Sequence, residues 1–398
     1  MTDRRETARA RRAANDRKLP RIDLNQSPFT VAWEITRACA LACLHCRAEA
    51  QPKRDPRELT TEEALNVVDQ IRAVGDPILV VTGGDPLMRP DVYDLLKYSV
   101  SVGLRTSLAP TASALVTPRN LARVRDAGVR RVGISLDGPT AAIHDRFRGF
   151  SGSFKRTMQI VQRIADAGLA LQVNTTVTQH NFSTLKALPE LIAAAGAVQW
   201  SVFFLVPTGR GRAEDMISPE EHEDVYNWLC DISPSAPFDV KTTAGPAYRR
   251  VAIQRARAAG GQAHVAGAGY RFQDGLDRPM IGINDGSGFA FISHTGDVYP
   301  SGFLPLAGGN VRDRPFTEIY RDTPLFRELR NPDLLKGKCG ECDFRTVCGG
   351  SRARAYGVTG DYLAPDPSCV YEPVVVGEHR AVSVDIEPLN GAAEGARR

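Results

Sequence analysis

The sequence predicts an α/β fold: a partial (β/α)6, TIM-like barrel followed by a small, metal-stapled C-terminal domain. Three observations predict it. Short β-rich runs alternate with helical segments from residue 31 to residue 206. The regularity lapses after about residue 232, where Pro- and Gly-rich stretches such as SPSAPFD and AAGGQAHVAGAG appear. Seven of the eight cysteines fall into two groups, one early and one late in the chain. Strands separated by helical crossovers pair in parallel, and such crossovers are right-handed. A doubly wound sheet shows the same alternation, so the pattern alone leaves both windings open.

The strand runs are VAWEIT (31–36), PILVVTG (77–83), GLRTSLA (103–109), VRRVGISLD (129–137), LALQVNTTVT (169–178) and VQWSVFFLV (198–206). Helical patterns occupy 61–74 after the Thr60 cap signal, 90–101, 118–127, 155–167, 183–195 and 218–231. Gly75, Gly128 and Gly168 sit where helices commonly stop. GFAFISHTGDVYPSG then reads as two strands around a turn at Thr295–Gly296, and a helical segment spans 314–329. The expected organisation is a basic tail (1–27), the barrel (28–232), a connecting segment (233–283), the metal-stapled domain (284–375) and a second tail (376–398).

Charge excludes one class of partner. Lys and Arg number 50 against 46 Asp and Glu, a net +4 over 398 residues. Residues 1–21 carry eight basic and three acidic side chains, so the rest of the chain is close to −1. That balance does not suit a nucleic-acid surface. Acidic residues interrupt the basic run and no aromatic interleaves it, so the segment reads as a solvated tail. No apolar run approaches the roughly 18 residues of a membrane span, and a cytoplasmic location is expected.

Cys39, Cys43 and Cys46 form C-x3-C-x2-C directly after the first strand; Cys339, Cys342, Cys348 and Cys369 form C-x2-C-x5-C-x20-C. Such spacings point to metal ligation more than to disulfides, and three cysteines cannot pair among themselves. Cys230 stands alone and reads as a buried apolar residue. A structural zinc site needs four closed ligands, which the first group lacks locally. His45 is adjacent to Cys46 and reads as a packing residue. Three thiolates on a four-iron cubane leave one iron open. The second group supplies four ligands, enough for either a zinc ribbon or a closed iron–sulfur cluster.

The first loop resembles the signature of the radical S-adenosylmethionine (SAM) enzymes. The resemblance implies a [4Fe-4S] cluster whose open iron binds SAM, and reductive cleavage to a 5′-deoxyadenosyl radical that abstracts hydrogen. It implies SAM contacts at Gly83, Gly84 and Asp85 of the GGDP loop, with Asp in place of the family's Glu. Ser135, Asp137, Arg148, Asn174, Leu205 and Val206 match further SAM-side positions: Ser135 and Asp137 near the ribose, Arg148 at the SAM carboxylate. A reducing donor such as flavodoxin or ferredoxin is implied as a partner.

The second cysteine group resembles the twitch and SPASM auxiliary-cluster extensions of these enzymes, implying a second [4Fe-4S] cluster. Ser301 follows GDVYP where such enzymes often carry Cys, so one auxiliary cluster is expected. LVPTGRGR, SHTGDVYPSGFLPLAGGNVR and CGGSRARAYGVTGDYLAPDPSC resemble the tetrapyrrole-modifying AhbD- and NirJ-type branch. That branch acts on propionate side chains of an iron tetrapyrrole in heme synthesis, which implies Arg210, Arg212, Arg352 and Arg354 as carboxylate partners. A ribosomal-peptide maturase is the second enzyme reading; an iron–sulfur electron carrier or zinc-stabilised binding protein is the non-enzyme reading. No general acid or base is assigned, and His294, Tyr299, Tyr356 and Asp361 default to structural roles.

Overall fold

The computed structural model describes residues 23–260 and 282–373. Most of the basic tail (1–22), part of the connecting segment (261–281) and the second tail (374–398) lie outside the described residues.

Seven parallel strands line up in chain order: β1 (Thr30–Glu34), β2 (Ile78–Thr82), β3 (Arg105–Leu108), β4 (Arg131–Ser135), β5 (Ala170–Val177), β6 (Gln199–Phe204) and β7 (Asp239–Thr243). A doubly wound sheet reverses its strand order at a switch point. Here the order from β1 to β7 runs one way, which is the winding of a partial barrel.

The helices follow from their sequences. Helix α1 (Thr61–Val74) starts with a capping box between Thr60 and Glu63. It buries Ala64, Val67, Val68 and Ile71, a one-face spacing of a 3.6-residue period. The Val and Ile side chains among them each contribute about 1.5–3 kcal/mol on burial. Helices α2 (Val92–Ser101), α3 (Pro118–Asp126), α4 (Ala141–Arg148), α5 (Ser153–Asp166), α6 (Leu188–Ala194) and α7 (Pro219–Ile232) fill the other crossovers. Along β5, Leu171, Val173, Thr175 and Val177 are buried, while Gln172, Asn174 and Thr176 stay half-buried. One face of β5 therefore packs in the core and the alternate face is polar.

Two features differ from the sequence reading. The segment 233–283 is not only a connection, since it supplies β7 and helix α8 (Ala247–Ala258). DVKTT lacks an apolar run because β7, which among the described residues pairs with β6 alone, buries only Asp239 and Val240. The expected hairpin forms as β9 (Gly288–Ile292) and β10 (Asp297–Tyr299), with β8 (Asn284–Asp285) and β11 (Gly309–Asn310) beside them. It is not a separate sheet: β9 runs parallel to β1, with Trp33 opposite Ile292. The barrel sheet thus continues past residue 284, through a pairing some 260 residues apart in sequence. Helices α9 (Phe316–Asp322), α10 (Pro324–Leu329), α11 (Gly337–Glu341) and α12 (Arg352–Thr359) complete the C-terminal part.

Candidate active site

The chain leaves β1 into the loop of Cys39, Cys43 and Cys46. Backbone bonds fix that loop from three sides: Cys39 N donates to Gln51 O (2.7 Å), Leu44 N to Phe147 O (3.1 Å) and Arg210 N to Cys46 O (3.0 Å). The Arg210 side chain adds a bond from Nε to Cys43 O (2.9 Å). Gly209, at φ +57°, permits this approach, because a Cβ there would lie 2.4 Å from Arg47 O.

Each sulfur meets a polar partner. Leu41 N donates to Cys39 Sγ (3.4 Å), Ala50 N to Cys46 Sγ (3.5 Å) and Arg148 Nη1 to Cys43 Sγ (3.7 Å); Thr111 Oγ1 lies 3.5 Å from Cys39 Sγ. These contacts suit thiolates, so the donor set fits a three-thiolate iron–sulfur cluster. His45 stacks on Phe147 at 4.3 Å, and burial holds its pKa at about 3. A neutral, stacked imidazole packs the loop, as the sequence reading expects.

Gly83 and Gly84 follow β2 where backbone touches backbone. A Cβ on either would lie 2.5 Å from Thr36 O or Ala38 O. Their neighbour Asp85 donates its N–H to Ala38 O (2.7 Å), which brings it against the cysteine loop. Asp85 is wholly buried; Oδ1 accepts from Leu87 N (3.2 Å), and Oδ2 is buried without a partner. Burial pushes its carboxyl above the usual range. Asp85 thus ties the loop after β2 to the cysteine loop, and its carboxylate is held by Leu87 N with Ser113 and Thr111 beside it.

The other SAM-side positions divide. Asp137 is fully buried, and both its oxygens are engaged, by Thr176 N (2.8 Å) and the Arg148 guanidinium. It therefore holds Arg148 and has no oxygen free for a ribose. Burial opposes the charge on Arg148, yet Asp137 and Cys43 hold its pKa above the ordinary arginine value. Arg148 directs its two terminal nitrogens to Asp137 and Cys43, while its buried Nε has no partner. Ser135 and Asn174 lie opposite each other on β4 and β5, both half-buried. Leu205 and Val206 are buried, and Val206 packs with Leu304 and Ala353. They join the barrel to the C-terminal part.

The arginines expected to meet substrate are also redistributed. Arg210 braces the cysteine loop, and Arg212 pairs with Glu214 and Asp215 at the surface. Arg352 and Arg354 are buried at 2% and 0% exposure and bonded within the fold. Such internal guanidiniums are struts, which corrects the expectation of substrate contact.

One group escaped the sequence reading. Glu34, the last residue of β1, is wholly buried and pairs with Arg47, Arg37 (3.2 Å) and His294 Nδ1 (2.9 Å). It ties the cysteine loop to the β9–β10 hairpin. Burial alone would raise its pKa, but Arg47, His294 and Arg37 lower it from 4.5 to about 2. A depressed folded value contributes stability above pH 4.5 that is lost as pH falls through about 2. The stability gap between the parent and Glu34→Gln, on the order of 3 kcal/mol, is expected to close across that window in acid unfolding curves. A gap independent of pH contradicts this. The alternation WEIT gave the only signal, a lone acid in an apolar strand.

The second group, Cys339, Cys342, Cys348 and Cys369, lines one concavity together with Arg250 and Tyr371. Among the described residues no three His, Cys, Asp or Glu side chains close on a point as around a single ion. Cys339 Sγ accepts from Asp366 N (3.4 Å) and Cys342 Sγ from Phe344 N (3.4 Å). Burial pushes the Cys342 thiol to about 11 and the Cys348 thiol to about 12, so coordination must draw off their protons. Four thiols sharing one concavity fit a closed cluster. Ser301 accepts from Phe303 N (3.2 Å) and closes the turn after β10.

Known proteins resemble this chain in sequence and in fold. The profile of the Radical SAM superfamily matches residues 33–192. The AdoMet-dependent heme synthase of Nitratidesulfovibrio vulgaris is 45% identical over 86% of this chain and 92% of that protein. The mycofactocin maturase MftC of Mycobacterium ulcerans is 30% identical over 92% of this chain and 95% of its own length. The SAM-bound structure of Streptococcus suis SuiB covers 87% of this chain and 78% of that one, at 15% identity and a TM-score of 0.65, a likeness of fold. The chain belongs to the radical SAM superfamily, on the branch of the AdoMet-dependent heme synthases.

Proposed function

We propose that this radical SAM enzyme oxidatively decarboxylates propionate side chains of an iron tetrapyrrole in heme synthesis. The observation that carries the reading is the 45% identity to a heme synthase over 92% of that relative's length. A peptide maturase is the weaker reading, since MftC stands at 30%.

Cys39, Cys43 and Cys46 hold the cluster that binds SAM, and Cys339, Cys342, Cys348 and Cys369 hold the auxiliary cluster. Reductive cleavage of SAM supplies a 5′-deoxyadenosyl radical for hydrogen abstraction. The chain's own residues do the rest. Arg148 and Arg210 fix the cysteine loop, and Ser135 and Asn174 present polar groups on neighbouring strands. Arg37, with its side chain 36% exposed, and Arg47, stacked 4.4 Å over Phe291, stand beside the loop. They replace Arg352 and Arg354 as candidate carboxylate partners. Each propionate would become vinyl by losing a hydrogen atom to the radical, then carbon dioxide and one electron, for which the oxidised auxiliary cluster would be the acceptor. A low-potential donor such as flavodoxin or ferredoxin supplies the electron for SAM cleavage.

Absorbance titration of the reconstituted protein with coproheme and with didecarboxysiroheme tests the substrate class. Saturable binding of one of them is expected; binding of neither overturns the tetrapyrrole reading.

A further inference from the structure

The geometry points to Arg352 as the residue that balances the charge of the auxiliary cluster and raises its reduction potential. This rests on reading Cys339, Cys342, Cys348 and Cys369 as ligands of a closed iron–sulfur cluster.

Arg352 is 2% exposed at the start of α12. Its donors go to Gly350 O (Nε, 3.2 Å), Tyr362 O (Nη1, 3.0 Å), Ala364 O (Nη1, 2.7 Å) and Cys339 Sγ (Nη2, 3.7 Å). All three oxygens are neutral carbonyls. The nearby carboxylate, Asp366, is bonded by Arg354 at 3.1 and 3.2 Å. Two buried guanidiniums thus share one carboxylate, leaving one surplus positive charge. An unbalanced buried charge costs several kcal/mol unless an anion faces it. The facing group here is the Cys339 sulfur.

The cations that line the concavity are already balanced, and Arg249, bonded to Val347 O and Ile283 O, makes no hydrogen bond to a cysteine sulfur among the described residues. Among the described residues Arg250 pairs with Glu223, Lys338 with Glu372 (3.0 Å) and Arg345 with Asp333 (3.6 Å). Arg352 has no such carboxylate. The sequence reserves the space for it: a Cβ on Gly350, at φ +65°, would lie 2.3 Å from Arg352 Nη2 and 3.2 Å from Cys339 Sγ. Any larger residue in CGGSRAR would push the guanidinium off the sulfur.

The first cysteine loop offers an internal contrast. Arg148 Nη1 also sits 3.7 Å from a cysteine sulfur, Cys43, but its other nitrogen pairs with Asp137. The same contact is neutralised there and unneutralised at Cys339. A cluster on four thiolates is anionic and gains one negative charge on reduction. A fixed buried cation at its sulfur favours the reduced form, through charge and hydrogen bonding. The auxiliary cluster is therefore set as the better electron acceptor of the two.

The test uses the full chain with Cys39, Cys43 and Cys46 all changed to Ala, reconstituted anaerobically and titrated by EPR-monitored potentiometry. Iron and sulfide are assayed first; their absence in this background sinks the cluster reading itself. With the cluster present, Arg352→Gln is expected to lose at least about tenfold in the reduction equilibrium, a fall of about 59 mV for one electron. Arg352→Lys keeps the charge and is expected to stay near the parent. A Gln variant that cannot hold the cluster, beside a Lys variant that can, also supports charge balance. An unmoved potential in the Gln variant, equal falls in both variants, or loss of the cluster in both overturns the inference.

Discussion

Cys43→Ala is expected to abolish 5′-deoxyadenosine formation while the auxiliary cluster is retained. Cys43 is one of three sulfurs in the loop after β1, and the one that Arg148 contacts at 3.7 Å. Its removal leaves two thiolates, and it strands the Arg148–Asp137 pair beside the gap. Losing an outer partner of a metal ligand costs 10–100-fold. Loss of the ligand itself is expected to exceed about 100-fold. Iron should fall to the content of one cluster, and 5′-deoxyadenosine should fall to background in the presence of SAM and dithionite. Cys348→Ala, by contrast, is expected to spare SAM cleavage and to lose turnover of the tetrapyrrole. Parent-like 5′-deoxyadenosine yield from Cys43→Ala contradicts the assignment.

Arg354→Met is expected to destabilise the protein by about 3–5 kcal/mol, the cost of removing one partner of a buried, hydrogen-bonded pair. Arg354 has no exposed surface and bonds Asp366 through two oxygens. It also donates to Leu205 O after β6 (3.3 Å) and to Ala244 O after β7. One side chain thereby joins α12 to the ends of two barrel strands. Without it, Asp366 keeps only the bonds from Ser351 N (2.7 Å) and Ser368 N (3.1 Å). Anaerobic thermal unfolding of the reconstituted protein, with iron release followed in parallel, measures the effect. A loss below about 1 kcal/mol, the scale of an exposed ion pair, contradicts the internal-strut role.

The six strand runs and both cysteine groups were legible because their signals are local. Alternation of the kind in LQVNTTV and the C-x3-C-x2-C spacing depend on neighbours along the chain. What escaped depends on partners far away. DVKTT carries no apolar run, because β7 buries only its first two residues, and so it falls within the expected connecting segment 233–283. The pairing of β9 with β1 joins segments with nothing in their sequences to mark the match. Arg352 and Arg354 read as substrate partners, and only Asp366 and distant carbonyls turn them inward. The SAM-side positions were placed by motif register, which locates a residue but not its exposure. Asp85 and Asp137 occupy the expected loops, yet both lie under the site surface. Glu34 was invisible for the same reason as the arginines: its partners Arg47 and His294 lie 13 and 260 residues away.

If this chain uses its two cysteine sites to convert tetrapyrrole propionates, mass spectrometry after anaerobic turnover with SAM, reductant and coproheme reveals it. A product lighter by carbon dioxide and two hydrogen atoms per modified side chain is expected, with 5′-deoxyadenosine formed alongside. Coproheme of unchanged mass, from protein that holds both clusters and cleaves SAM, would contradict it.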